Sequence, residues 1–271
     1  IGSYAFQNCR SLTSVTISNN IRAISYNAFL DSQISNIFIN DTNKLNLVEG
    51  IQTIGGKSKV NVNVIFPYTG PLVYTINNDT NNITIDNCPE DTEGEIIIPE
   101  FIEGIIVSKL AKISFENCLK LTKITIPNSI TEIGDNCFNN CKALTEFSVD
   151  VDNNNYSSEN GVLFNKNKTT LLHYPASKDG LSYVIPNEVT NISKLSFAYN
   201  NNLEFIVIIN NITTIGSDEH PAFFNCVSLK EFLVSNSSSS FTSENGVLFN
   251  KNKTKLIKYP KNKDATTYTI P

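Results

Sequence analysis

Residues able to do chemistry are scarce in this chain. Of its 271 residues, six are cysteine and two are histidine. Cys9, Cys118, Cys141 and Cys226 each stand three residues after a phenylalanine, and Ser32 and Asn200 fill the same place elsewhere. A small residue that recurs at one place in a pattern reads as core filling, because an unpaired cysteine behaves as a small hydrophobe. A tetrahedral zinc site needs paired ligands such as Cys-x-x-Cys. The nearest approach, Cys137 with Cys141, has no second pair. Free, inert thiols are expected. A Cys118–Cys141 bridge is the alternative that stacked copies of the pattern would allow.

The remaining candidates are weaker. His173 and His220 lie in no catalytic order with a Cys, Ser or Asp. His220 belongs to Asp218-Glu219-His220, in a 216–221 insertion expected to bulge as a solvated loop. Asp150, Asp152 and Asn154 alternate as in a calcium loop. However, Asn155 stands where an EF-hand needs glycine, and Gly161 where it needs glutamate. The later copy has Ser235, Ser237 and Ser239 at the places of Asp150, Asp152 and Asn154. No metal or cofactor is expected. The net charge of −5 and pI near 5.2 argue against a nucleic-acid partner, which calls for a basic face. The lysines near 166–168 and 251–263 read as solvated edges. No run of about 18 apolar residues is present, so no membrane-spanning helix is expected.

The longest motif is SENGVLFNKNKT, identical at 158–169 and 243–254. Its residues are glycine, hydrophobes and turn formers. After it, His173 in the first copy is Lys258 in the second. A catalytic loop would keep its nucleophile and base, so the motif reads as scaffold. Two apolar runs around an Asn/Lys turn predict β-hairpins at 161–174 and 246–259, each followed by a strand, YVIP at 183–186 and YTIP at 268–271.

Those motifs sit in a repeat of about 23 residues. Phe6, Phe29, Phe115, Phe138, Phe197 and Phe223 open a shared phrase. Leu12, Leu121, Leu144, Leu203 and Leu229 follow six residues later, with Ile34 five after Phe29. Next come Val15, Ile37, Ile124, Phe147, Ile206 and Phe232, then a further apolar residue two on. Alternation at the end of the phrase is a strand period. One unit cannot bury its apolar face alone, and stacking the units makes a continuous core. The expectation is a right-handed repeat solenoid, mainly β with short helical or irregular turns. It has a parallel sheet with one strand per repeat, near 13–17, 35–39, 122–126, 145–149, 182–185, 204–208 and 230–234. The six phenylalanines should be buried.

The domain reading is an N-terminal repeat block over 1–66, with VNVNVIF as capping strand, and a non-repeat hairpin or spacer over 67–90. A C-terminal repeat block follows over 91–271 and carries the two hairpin inserts. Both ends of the chain fall inside the pattern, so a piece of a longer protein is expected.

IGSYAFQNCRSLTSVTISNNIRAI, ITEIGDNCFNNCKALTEFSV and the 96–133 stretch resemble the BspA-like leucine-rich repeats over roughly 1–54 and 91–271. The resemblance implies an extracellular or cell-surface protein of a host-associated microbe. The implied partner is a host or microbial protein, extracellular matrix included. Together with the lack of a catalytic set, it implies a non-catalytic adhesion or protein-binding module. A structural spacer and the substrate-recognition arm of a larger surface enzyme are the other readings.

The intervening residues of each strand point away from the core. Most are polar: Ser14, Thr16, Lys123, Thr125, Glu146 and Ser148. Phe205, Val207, Ile209 and Leu233 are instead apolar on consecutive strands, with Phe38 an isolated case. The four are the candidate binding surface, unless the 216–221 loop covers them.

Overall fold

The computed structural model describes residues 1–17, 21, 23–25, 27–39, 50–54, 57–64, 70–77, 79–209 and 212–271, with the backbone alone over 50–54 and 57–64. Two compact units emerge: Ile1–Gly70 with Phe101–Ile106, and Pro71–Glu100 with Val107–Pro271.

In the first unit, strands Ser14–Ile17 and Asn36–Ile39 pair in parallel, with Val15 opposite Ile37. Lys57–Val64 adds a further parallel strand, and Gly50–Ile54 closes the sheet antiparallel to it. Phe29, Ile34, Ile37 and Ile39 form the core, and Phe6 stacks on Phe29 at 5.3 Å. Phe6 itself is only half-buried, whereas the other five repeat phenylalanines are sealed. Phe38 is not an exposed outlier: it is buried against the Phe101 ring, 4.6 Å away.

The second unit is a solenoid built on three ladders. The long strands form parallel sheets, Glu93–Ile97, Lys120–Ile126 and Glu146–Val149 in one, Ser182–Val184, Phe205–Ile208 and Glu231–Val234 in the other. All seven strands expected from the repeat phrase are thus present in the two units. Each repeat also adds a shorter parallel strand on another side. Glu132–Ile133 pairs with Ile105–Leu110, and Thr170–His173 pairs with Asn191–Ile192 and then Thr214–Ile215. Residues 268–271 form no strand.

The third ladder runs through the turns. Ile113, Phe115 and Asn117 donate their N–H groups to the carbonyls of Asp135, Cys137 and Asn139, one turn on, at 3.3, 2.9 and 3.1 Å. Phe197 and Tyr199 do the same to Ala222 and Phe224. This geometry rules out a helix, whose N–H groups point along its own axis. The chain achieves it with a left-handed residue on each side of the phenylalanine: Ile113 and Asn117, Asn136 and Asn140, Leu195 and Tyr199. Asparagine tolerates that conformation better than most residues, which accounts for its abundance here. Of the two turn types expected, the irregular one forms, and no α-helix occurs among the described residues.

All three ladders stop at one place. No long strand joins Glu146–Val149 to Ser182–Val184, and no short strand joins Glu132–Ile133 to Thr170–His173. A three-stranded antiparallel meander, Tyr156–Glu159, Val162–Asn165 and Thr170–His173, fills the interval. A second meander, Phe241–Glu244, Val247–Asn250 and Leu256–Lys258, has the same pairing.

Candidate functional site

The repeated twelve residues account for themselves one by one. Asn160 and Gly161 have φ 49 and 77, and Asn245 and Gly246 have φ 48 and 77, the two left-handed residues of a tight hairpin turn. A Cβ on Gly161 would come 2.9 Å from the Glu146 Cβ, and one on Gly246 would come 2.9 Å from the Glu231 Cγ. These glycines therefore let each meander lie against the preceding long strand. Phe147 donates its N–H to Gly161 O and Phe232 to Gly246 O, both at 2.9 Å. The Ser158 and Ser243 hydroxyls accept from Val149 and Val234 N–H. Lys168 pairs with Glu159, and Lys253 with Glu244. Val162, Leu163, Phe164 and their counterparts are buried. Every role is structural, so the repeated motif is scaffold.

The supposed calcium loop is a folded turn. Asn153 points inward, fully buried, and Asp150 accepts the Asp152 N–H. Among the described residues, no three His, Cys, Asp or Glu side chains gather as metal ligands.

All six cysteines are free. The repeat position does more than fill space. Cys141 Sγ donates to Phe115 O and Cys226 Sγ to Phe197 O, both at 3.0 Å, and Cys118 Sγ donates to Cys88 O at 3.4 Å. Asn200 reaches Pro175 O and Ala176 O from the same place. The residue thus satisfies carbonyls of the preceding turn, which explains why Asn can replace Cys there, whereas Ser32 bonds to Phe29 O of its own turn. Burial pushes the Cys137 and Cys226 thiols up to about 12 and raises Cys141 as well. These thiols stay protonated and unreactive.

His173 is 8% exposed, edge-on against both the Phe138 and Phe147 rings, and burial lowers it to about 4. The 216–221 loop folds back on itself, with Ser217 N–H donating to His220 O, and Asp218 pairs with Lys255 at 2.6 Å.

The outward strip lies on the sheet of Ser182–Val184, Phe205–Ile208 and Glu231–Val234. Val207 is in register with Val184 on one side and Leu233 on the other. Phe205 and Val207 are half-buried, while Ile209 and Leu233 are 45% and 47% exposed. Val184, 50% exposed, extends the row. Sequence reading missed it, although alternation within LSYVIP places it outward. The corresponding face of the other sheet is charged: Lys123 bridges Glu146 at 2.5 Å, beside Thr125 and Ser148.

The BspA type leucine rich repeat region matches in six copies over residues 1–55 and 95–182, more than half of the chain. Solved structures with similar folds include a leucine-rich repeat protein from Eubacterium ventriosum, 21% identical over 84% of this chain, TM-score 0.42. The pneumococcal vaccine antigen PcpA is 22% identical over 83%, TM-score 0.41. A leucine rich cell surface protein from Faecalibacterium prausnitzii is 20% identical over 83%, TM-score 0.41. The chain spans 61%, 51% and 61% of their respective lengths. No curated protein matches. On its six repeat copies and the stacked parallel strands they form, the chain belongs to the BspA-type leucine-rich repeat family.

Proposed function

We propose that this chain is a non-catalytic, protein-binding module of a secreted or cell-surface protein. Its partner is a host or microbial surface protein, and it binds through the strip Phe205, Val207, Ile209 and Leu233, extended by Val184. The observation that carries this reading is the in-register apolar row Val184–Val207–Leu233 across three parallel strands, exposed at both ends and half-buried at Val207. Adjacent strands lie about 4.8 Å apart, so the row is a contiguous patch. Apolar anchors at the centre of such a patch carry most of an interface's energy. Membership of a repeat family that builds extended binding faces supports the reading.

Binding to epithelial cells and to a panel of extracellular-matrix proteins tests it. Phe205→Ala and Leu233→Asp should weaken attachment about tenfold or more while leaving the melting temperature nearly unchanged. Thr125→Asp and Ser148→Asp on the polar strip should do little. If both strips respond alike, the assignment fails.

A further inference from the structure

The interruption of the three ladders leaves a cavity of about 330 Å³ inside the second unit. Its origin is a length difference. Phe138 stands five positions after Ile133 and Phe197 five after Ile192, but Tyr174 only three after Leu171. The intervening turn is too short to fill its layer. The turns 134–139 and 193–195 therefore face each other across a notch, with His173 on its floor.

Three features make the notch a polar receptor instead of a packing fault. First, the N–H groups of Asn136 and Phe138 donate to no described residue, whereas their counterparts on Ile113 and Phe115 bond to the next turn. Second, the His173 ring lines the cavity at 8% exposure and makes no hydrogen bond with the described residues. Third, Asp135 and Lys194 occupy the same repeat position on the two walls, three residues before Phe138 and Phe197. They form no ion pair, although Lys109 and Glu132 on neighbouring strands do so at 2.8 Å. Both side chains are exposed, and opposite charges on facing walls suit a ligand that carries both signs. Leu163 and Leu195 supply apolar wall.

We propose that the notch binds a free α-amino acid with an apolar side chain. The carboxylate accepts from the Asn136 and Phe138 N–H groups and from the Lys194 ammonium. The amino group faces the Asp135 carboxylate and the His173 ring, and the side chain lies against the two leucines. A cavity of this size falls in the range of small-molecule sites.

Isothermal titration calorimetry of the whole chain with L-leucine to about 10 mM, a range that reads millimolar dissociation constants, tests the proposal. Melting curves of the same samples give a second readout. Saturable heat and a rising melting temperature are expected. 4-Methylpentanoate, which lacks the amino group, and 3-methylbutylamine, which lacks the carboxylate, should each bind at least about tenfold more weakly, as unpaired charges in the notch demand. Asp135→Asn and Lys194→Met, both at exposed positions, should weaken leucine by a similar factor without changing the unliganded melt. The proposal is overturned if no apolar amino acid gives heat or a thermal shift. It is equally overturned if the acid or amine binds as well as leucine, or if both substitutions leave binding unchanged.

Discussion

At the scale of single residues, the turns carry strain that could be removed. Ile113 holds φ 58 with its side chain 47% exposed, a conformation that is costly for a β-branched residue. The next repeat uses Asn136 at the same place, φ 57. Ile113→Asn keeps the backbone bonds and should stabilise the chain by about 0.5–1 kcal/mol, read as a higher melting temperature. An unchanged or lower value would mean that the isoleucine packing outweighs the strain. His173 gives a pH signature. Its folded value, about 4, lies below the ordinary 6.5, so the unfolded chain binds the proton more tightly. Stability should therefore be level above pH 6.5 and fall as pH drops towards 4, by at most about 3 kcal/mol. His173→Gln should flatten that part of the curve relative to the parent, and parallel curves would contradict the assignment. The repeat phenylalanines were legible from spacing alone, and Phe138→Ala should cost about 3–5 kcal/mol.

At the scale of elements, the strands were readable because alternating hydrophobes repeat in one register. The shorter ladder was not, because two residues such as Glu132–Ile133 are too few to show a period. Residues 67–90 show a different limit. The hairpin Val73–Asn77 and Asn82–Asn87 leads after Ile85 to Cys88, whose N–H donates to Ser114 O as that of Tyr174 donates to Ser196 O. Ala111 bonds to Ile85 O as Ser193 bonds to Leu171 O. The segment therefore adopts the bonding of the later meanders with almost none of their residues. Hydrogen bonding through the backbone leaves no side-chain signature to find. The first meander is also anchored by Asn153, whose amide donates to Pro127 O and Ile130 O and accepts from Asn155 and Tyr156 N–H. Asn153→Ala strands all four partners and should cost about 2–4 kcal/mol in denaturant unfolding. Ser238, the counterpart in the second meander, accepts one bond from Phe241 N–H. Asn153→Ser should accordingly recover part of the loss.

At the scale of the whole chain, stability in a repeat array is a sum over turns and the interfaces between them. The interface between the Phe138 turn and the layer above it lacks all three ladders, and the notch lies there. Within the second unit it should be the weakest coupling, so the repeats before the first meander and those after it should open separately. Cys88, Cys118, Cys137 and Cys141 lie before that break and Cys226 after it, all buried. Thiol labelling in rising denaturant therefore reads the two parts independently. In native buffer only half-buried Cys9 should react readily. With denaturant, the four earlier thiols should become reactive together, and Cys226 at a different concentration. Filling the notch with L-leucine should draw the two transitions together, because the ligand contacts both walls. A single shared transition for all five buried thiols without ligand would show that the meander couples the parts as firmly as the missing ladders would have done.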